Sequence, residues 1–205
     1  MNFKHRKILY ILFLAPLLMA FQCEDDLEDI IKTNNYKVGL TTNKVFLIND
    51  TIWIEGRVSS MAFNETKGDS IFNDNNQGDD LSVFKFITPT EHSNTEEALD
   101  KFSVVVKKGS FSSTSSCENY NIIVDSELEN NNLFYSYKIG LVPKQEGDFV
   151  IDFIASKMSN SQRNLNIVDK YQIERHPNQV GFNRCGTLSW LYLEDSKNEY
   201  FFTVE

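Results

Sequence analysis

The chain has 205 residues, 29 acidic and 20 basic, for a formal net charge of −9 at pH 7. A charge this negative repels phosphate backbones, and no Lys/Arg stripe along the sequence stands out against it, which argues against a nucleic-acid partner. The length suits one domain.

The first element is an export signal. Lys4, His5, Arg6 and Lys7 form a basic start, and Ile8 to Ala20 then runs apolar, interrupted only by Pro16. These 13 residues fall short of the about 20 that a membrane-spanning helix needs, and an acidic cluster follows them. Residues 1–22 therefore read as a removable signal peptide rather than a retained anchor. Met19-Ala20-Phe21-Gln22-Cys23 resembles the lipobox of bacterial lipoproteins, where the peptide is cut before a cysteine whose thiol carries a diacylglycerol. Gln22 and Phe21 are larger than that family's usual residues. The competing reading is a cut after Ala20, with Cys23 left as a structural thiol. Glu24, Asp25 and Asp26, with Glu28 and Asp29 behind them, resemble the acidic export signal that follows the lipidated cysteine in surface lipoproteins of the Bacteroidetes group. The richness in Asn, Lys, Ile and Phe fits an AT-rich genome of that kind. The resemblance implies an outer-membrane protein anchored by lipid at Cys23, at the cell surface or on the periplasmic face. Read as physics alone, residues 23–35 are a solvated, self-repelling tether.

Cutting before Cys23 removes Lys4, Arg6 and Lys7 and no acid, which takes the charge from −9 to near −12. That charge disfavours lying flat on anionic lipid, so the acyl chains would do the holding. Beyond Cys23 only Cys117 and Cys185 remain. An even pair in an exported protein reads as a disulfide. A bridge closing about 68 residues would restrain the unfolded chain by roughly 4 kcal/mol. The alternative, a catalytic thiol, wants a nearby base, and the mature chain holds only His92 and His176.

Residues 36–205 carry a strand pattern. Lys37–Leu40 and Val45–Ile48 flank a Thr-Thr-Asn turn. Over Thr51–Ser59, Ile52, Ile54, Gly56 and Val58 alternate with Trp53, Glu55 and Arg57, the period of a half-buried strand. Leu81–Ile87 is apolar and closed by Pro89. One short helix is predicted with Thr95 as its N-cap and Glu96-Glu97-Ala98-Leu99 in its first turns. Phe102–Lys107 and Tyr120–Val124 follow. Leu133–Val142 and Asp148–Ala155 read as a hairpin around residues 143–147, and Thr187–Leu193 and Glu199–Val204 as a final pair.

About nine short strands predict an all-β fold, an antiparallel β-sandwich in a single domain, with a small lipocalin-type barrel as the alternative. Leu141-Val142-Pro143 and Glu146-Gly147-Asp148-Phe149 resemble the late hairpin of bacterial immunoglobulin-like domains. There a glycine shortly before an aromatic opens a strand that re-enters the core, so the resemblance implies an immunoglobulin-like sandwich.

Two polar stretches are expected as long loops, 64–80 and 156–186. The first holds Asp69, Asp74, Asp79 and Asp80, the oxygen chemistry calcium uses, but Gly78 falls at the wrong place for an EF-hand and no Glu closes the loop, so no metal site is assigned. Nucleophile-elbow, phosphate-loop, zincin and Cys-x-x-Cys motifs are absent from the sequence, and two histidines cannot build a three-His zinc site. No cofactor or catalytic residue is assigned. The expectation is a non-catalytic envelope lipoprotein serving as an interaction or accessory module. The alternative is a glycan-binding lipoprotein, similar in role to accessory lipoproteins of polysaccharide-uptake systems, using Trp53, Trp190, Tyr192 or Tyr200. Adjacent aromatics exposed on one face would favour glycans, and burial of both tryptophans would disfavour them.

Overall fold

The computed structural model describes residues 28–74, 78–113, 119–159, 164 and 166–205. The signal peptide, Cys23, Glu24, Asp25, Asp26 and Cys117 lie outside the described residues.

In chain order the strands are β1 Ile31–Lys32, β2 Lys37–Leu40, β3 Val45–Phe46, β4 Ile52–Ser59, β5 Met61–Asn64, β6 Asp69–Phe72, β7 Asp79–Phe86, β8 Thr95–Glu97 and β9 Phe102–Lys108. They continue with β10 Ser110–Ser113, β11 Asn121–Asp125, β12 Glu127–Leu128, β13 Phe134–Pro143, β14 Gly147–Phe153 and β15 Lys157–Met158. A five-residue helix, α1 Asn166–Lys170, precedes β16 Gln179–Arg184, β17 Thr187–Tyr192 and β18 Glu199–Val204.

Two sheets form the sandwich. The first has the order β12-β13-β4-β2-β15, with β9 sharing the β13 edge with β12. The second has the order β10-β11-β7-β14-β18-β3, with β8 on β7. Pairing is antiparallel except where β15 meets β2 and β3 meets β18. The two sheets keep separate strand orders rather than closing on one another, so the barrel alternative is not what forms. The alternation read in β4 holds, since Ile52, Ile54 and Gly56 are buried while Glu55 and Arg57 are exposed. Between the sheets lies a core that includes Val38, Ile54, Val83, Tyr137, Ile139, Phe149 and Phe202. Phe149 stacks on Phe202 at 5.6 Å and meets Phe102 edge-on at 5.1 Å, geometries that add to the burial of these rings.

A third layer covers the far side of the second sheet. Phe84, Phe86, Val150 and Phe201 point away from the sandwich core and are buried under Ile167 and Val168 of α1 and Val180 and Phe182 of β16. This double cover explains why β7, β14 and β18 are buried almost without alternation, as strands covered on both faces are. Burying each such side chain contributes about 1.5–3 kcal/mol.

Several expectations are corrected. Thr187–Leu193 does not pair with Glu199–Val204. Instead β17 pairs with β16, while β18 joins β14 and β3. The reason is the turn between Arg184 and Thr187, where Cys185 and Gly186 have φ of 50° and 79°. Positive φ at both central residues makes a type I′ hairpin, with cysteine standing where asparagine is usual. Nor do β13 and β14 form a hairpin, since they lie in different sheets and residues 144–146 carry the chain across the sandwich. No helix starts at Thr95. Thr95–Glu97 is β8, and Thr95 turns its hydroxyl to the Gly181 carbonyl (3.0 Å) instead of capping. Edge pairing with β7 outweighs a weak helical preference there. Only a 3-10 turn, Leu99–Lys101, follows. The stretch 64–80 is largely ordered, with β6 folding back on β5 and β1, inside the expected tether, adding to β5. The stretch 156–186 likewise contains β15, α1 and β16. Among the described residues, no helix is long and apolar enough to cross a membrane.

Candidate functional site: the β16–β17 hairpin

Along β17, Leu191 turns toward the third-layer core and Ser189 accepts a hydrogen bond from Arg184 Nε (2.9 Å). The alternate residues Leu188, Trp190 and Tyr192 share the opposite face and are 39 %, 50 % and 53 % exposed. Period two thus places two aromatic rings side by side on a solvent-facing edge strand.

The platform is held from below and beside. Trp190 lies opposite Gly181 of β16, and its Nε1 donates to the His92 carbonyl (2.9 Å). Segment 92–93 crosses β16 at Gly181, so closely that a Cβ there would come within 2.5 Å of the His92 oxygen. Buried Asn94 fastens the crossing. Its Oδ1 accepts from the Gly181 amide (2.9 Å), and its Nδ2 donates to the Tyr171 carbonyl (2.8 Å). On the inner side Arg184 lies against Phe182 and Phe84 and pairs with buried Asp152 (2.6 Å).

A cleft of about 520 Å³ adjoins the platform, lined by Pro89, Thr90, Glu91, Gln172, Ile173, Glu174 and Arg175. Its Ile173 approaches Gly181, and its Glu91 precedes the carbonyl that holds Trp190. Arg175 and Glu91 form an exposed ion pair (3.5 Å), worth little to stability. Both remain within reach of a ligand. The arrangement offers two ring faces beside a carboxylate, a guanidinium and an amide, the mixture that binds a ligand with one apolar face and a rim of hydroxyls.

The other aromatics named from sequence divide differently. Tyr200 is 2 % exposed, with its hydroxyl donated to the Thr41 carbonyl (2.8 Å). Trp53 lies on the outer face of the first sheet against Gly140, under Lys107 (4.2 Å). The acids of 64–80 do not converge. Asp79 is buried and accepts from Tyr137, Ser156 and the Asp80 amide, while Asp80 accepts from Asn121. Burial, the main cause, raises both carboxyls above the ordinary range. Among the described residues, no group of three His, Cys, Asp or Glu could hold a metal. Cys185 sits in the hairpin turn with its amide donated to Glu97 (2.5 Å). Sequence reasoning missed Asn94, Leu188 and the Glu91–Arg175 cleft. The alternation Leu188-Trp190-Tyr192 was a legible signal for the platform, but nothing local marks Asn94.

Compared with protein families, with curated proteins and with solved structures, the chain matches none of them.

Proposed function

We propose that this is a non-catalytic, lipid-anchored protein of a bacterial envelope, acting as an interaction or accessory module, and that its ligand is a glycan held on β17. The observation that carries the glycan reading is the side-by-side exposure of Trp190 and Tyr192 on one face. A sugar presents C–H groups on one face, which lie against an aromatic ring, and hydroxyls at its rim, which Glu91, Gln172 and Arg175 can meet. The address rests on the basic start, the short apolar run and Cys23 followed at once by acids.

We also take Cys117 and Cys185 as a disulfide. Tyr120 and Arg184 line one cleft, and the Leu99 amide donates to the Asn119 carbonyl (3.4 Å), two residues beyond Glu97, which holds the Cys185 amide. Asn119 and Tyr120 therefore run beside the Cys185 turn.

Affinity electrophoresis through gels containing neutral polysaccharides tests the ligand. Retardation of the wild type, lost in Trp190→Ala and in Tyr192→Ala, is the expected result. Migration that is unaffected by every polysaccharide, or equal for the wild type and both variants, overturns it.

A further inference from the structure

The outer face of the first sheet assembles a feature that no stretch of sequence displays. Lys157 of β15 is in register with Lys37 of β2, and Lys37 with Arg57 of β4. Registered residues on neighbouring strands leave the same face about 4.8 Å apart, so three cations form a row about 10 Å long. Val38 and Met158, the alternate residues, turn inward to the core. All three cations line one groove of about 690 Å³, with Asn35 and Ser59 beside them.

Their partners are uneven. Arg57 is fixed, with Nε and Nη2 donating to Glu129 (2.9 and 2.7 Å) and the guanidinium 3.7 Å over Phe134. Its Nη1 is engaged by no described residue. Lys37 and Lys157 are exposed. Among the described residues the ion pairs are made by other cations, and neither lysine has one. Like charges directly opposite one another destabilise a sheet. This chain has 29 acids to 20 bases, yet among the described residues no acid pairs with either of these two lysines. Two lysines without an acid partner, set beside a third cation, are costly to the free protein, and an anion occupying the row relieves that cost.

We infer that the row Lys157–Lys37–Arg57 is a binding site for an acidic carbohydrate, a sugar bearing carboxylate or sulfate groups. Oxyanions take charge-assisted hydrogen bonds from the row, and the amide of Asn35 and the hydroxyl of Ser59 border it where sugar hydroxyls would lie. A long nucleic acid fits worse. Its phosphates would run beyond the row into the field of a strongly acidic molecule, and Phe134, whose face Arg57 covers, offers no ring for base stacking. The site stands independently of the hairpin, which packs on the other sheet.

Calorimetry on the purified full protein in detergent separates the cases. The probes are oligogalacturonate, its methyl-esterified neutral form, a sulfated dextran oligosaccharide and oligo-dT. Binding is expected for the carboxylated probe, the sulfated probe or both, which identifies the oxyanion, and should weaken with salt. The double variant Lys37→Gln/Lys157→Gln should lose about tenfold or more in affinity, while Trp190→Ala keeps it. Unliganded, the double variant should melt no lower than wild type, because it relieves repulsion. The inference is overturned if neither acidic probe binds, if the methyl ester or oligo-dT binds as tightly, or if the double variant binds like wild type.

Discussion

Tyr137 on β13 donates its buried hydroxyl to the Asp79 carboxylate on β7, 2.5 Å away across the sandwich. With Ser156 also donating to Asp79, this is a polar tie between two otherwise apolar faces. Burial, the largest cause, holds the Asp79 carboxyl above its ordinary 3.8, against the opposing pull of Ser156 and Tyr137. A carboxyl raised on folding contributes stability that is full below the unfolded value and is lost as pH rises through the folded one. Asp79→Asn should therefore match wild type near about pH 3 and grow relatively more stable toward about pH 7. Urea melts across that range check this, and a stability difference that does not widen with rising pH would contradict it.

Gly56 lies opposite Tyr137, and a Cβ there would meet the Tyr137 ring at 2.0 Å. Gly56→Ala should cost about 1–3 kcal/mol as overpacking. Tyr137→Phe should cost about 1–3 kcal/mol by taking a donor from a buried carboxylate. Because both act through the same ring and carboxylate, the double variant should lose less than the sum in denaturant melts.

Asn94→Ala should strip the buried Gly181 amide and the Tyr171 carbonyl of the side-chain partner that each has in Asn94. The expected loss is about 1–3 kcal/mol for each polar group left unpaired. Hydrogen exchange should quicken first in β16 and β17 and leave β4 and β13 protected, since the hairpin is an outer layer. Uniform quickening would mean that the hairpin is not a separate docking unit.

Mass spectrometry of the unreduced protein should recover a Cys117–Cys185 linked peptide. Free thiols at both positions would remove the bridge. Changing both cysteines to serine should lower the melting temperature, by up to roughly 4 kcal/mol in the loop-entropy picture, while the strand signal in circular dichroism persists.

Globomycin and Cys23→Ala should each block maturation if Cys23 is acylated. Replacing Glu24, Asp25 and Asp26 together with Ala should keep the protein folded and acylated but inside the cell wall side of the outer membrane, protected from protease added to whole cells. A tether needs only length and repulsion, so unchanged protease access in the triple variant would reduce the run to a spacer.

Short-range pattern carried the all-β class. Alternation in Ile52–Val58 and the apolar runs at Leu81–Ile87 and Leu133–Val142 mark strands, because side-chain period and burial are local properties of an extended chain. The proposed address rests on the first 26 residues alone, since such signals are linear. Pairing was not. Which edge β17 joins depends on a type I′ turn at Cys185-Gly186 and on Asn94, some ninety residues away in sequence, and which face of β7 is covered depends on α1 and β16. The cationic row is the clearest case. Lys37, Arg57 and Lys157 are unremarkable where they stand in an acidic sequence, and sheet register alone brings them side by side. Charge neighbours across a sheet are set by strand order, which the sequence encodes only through the whole packed core.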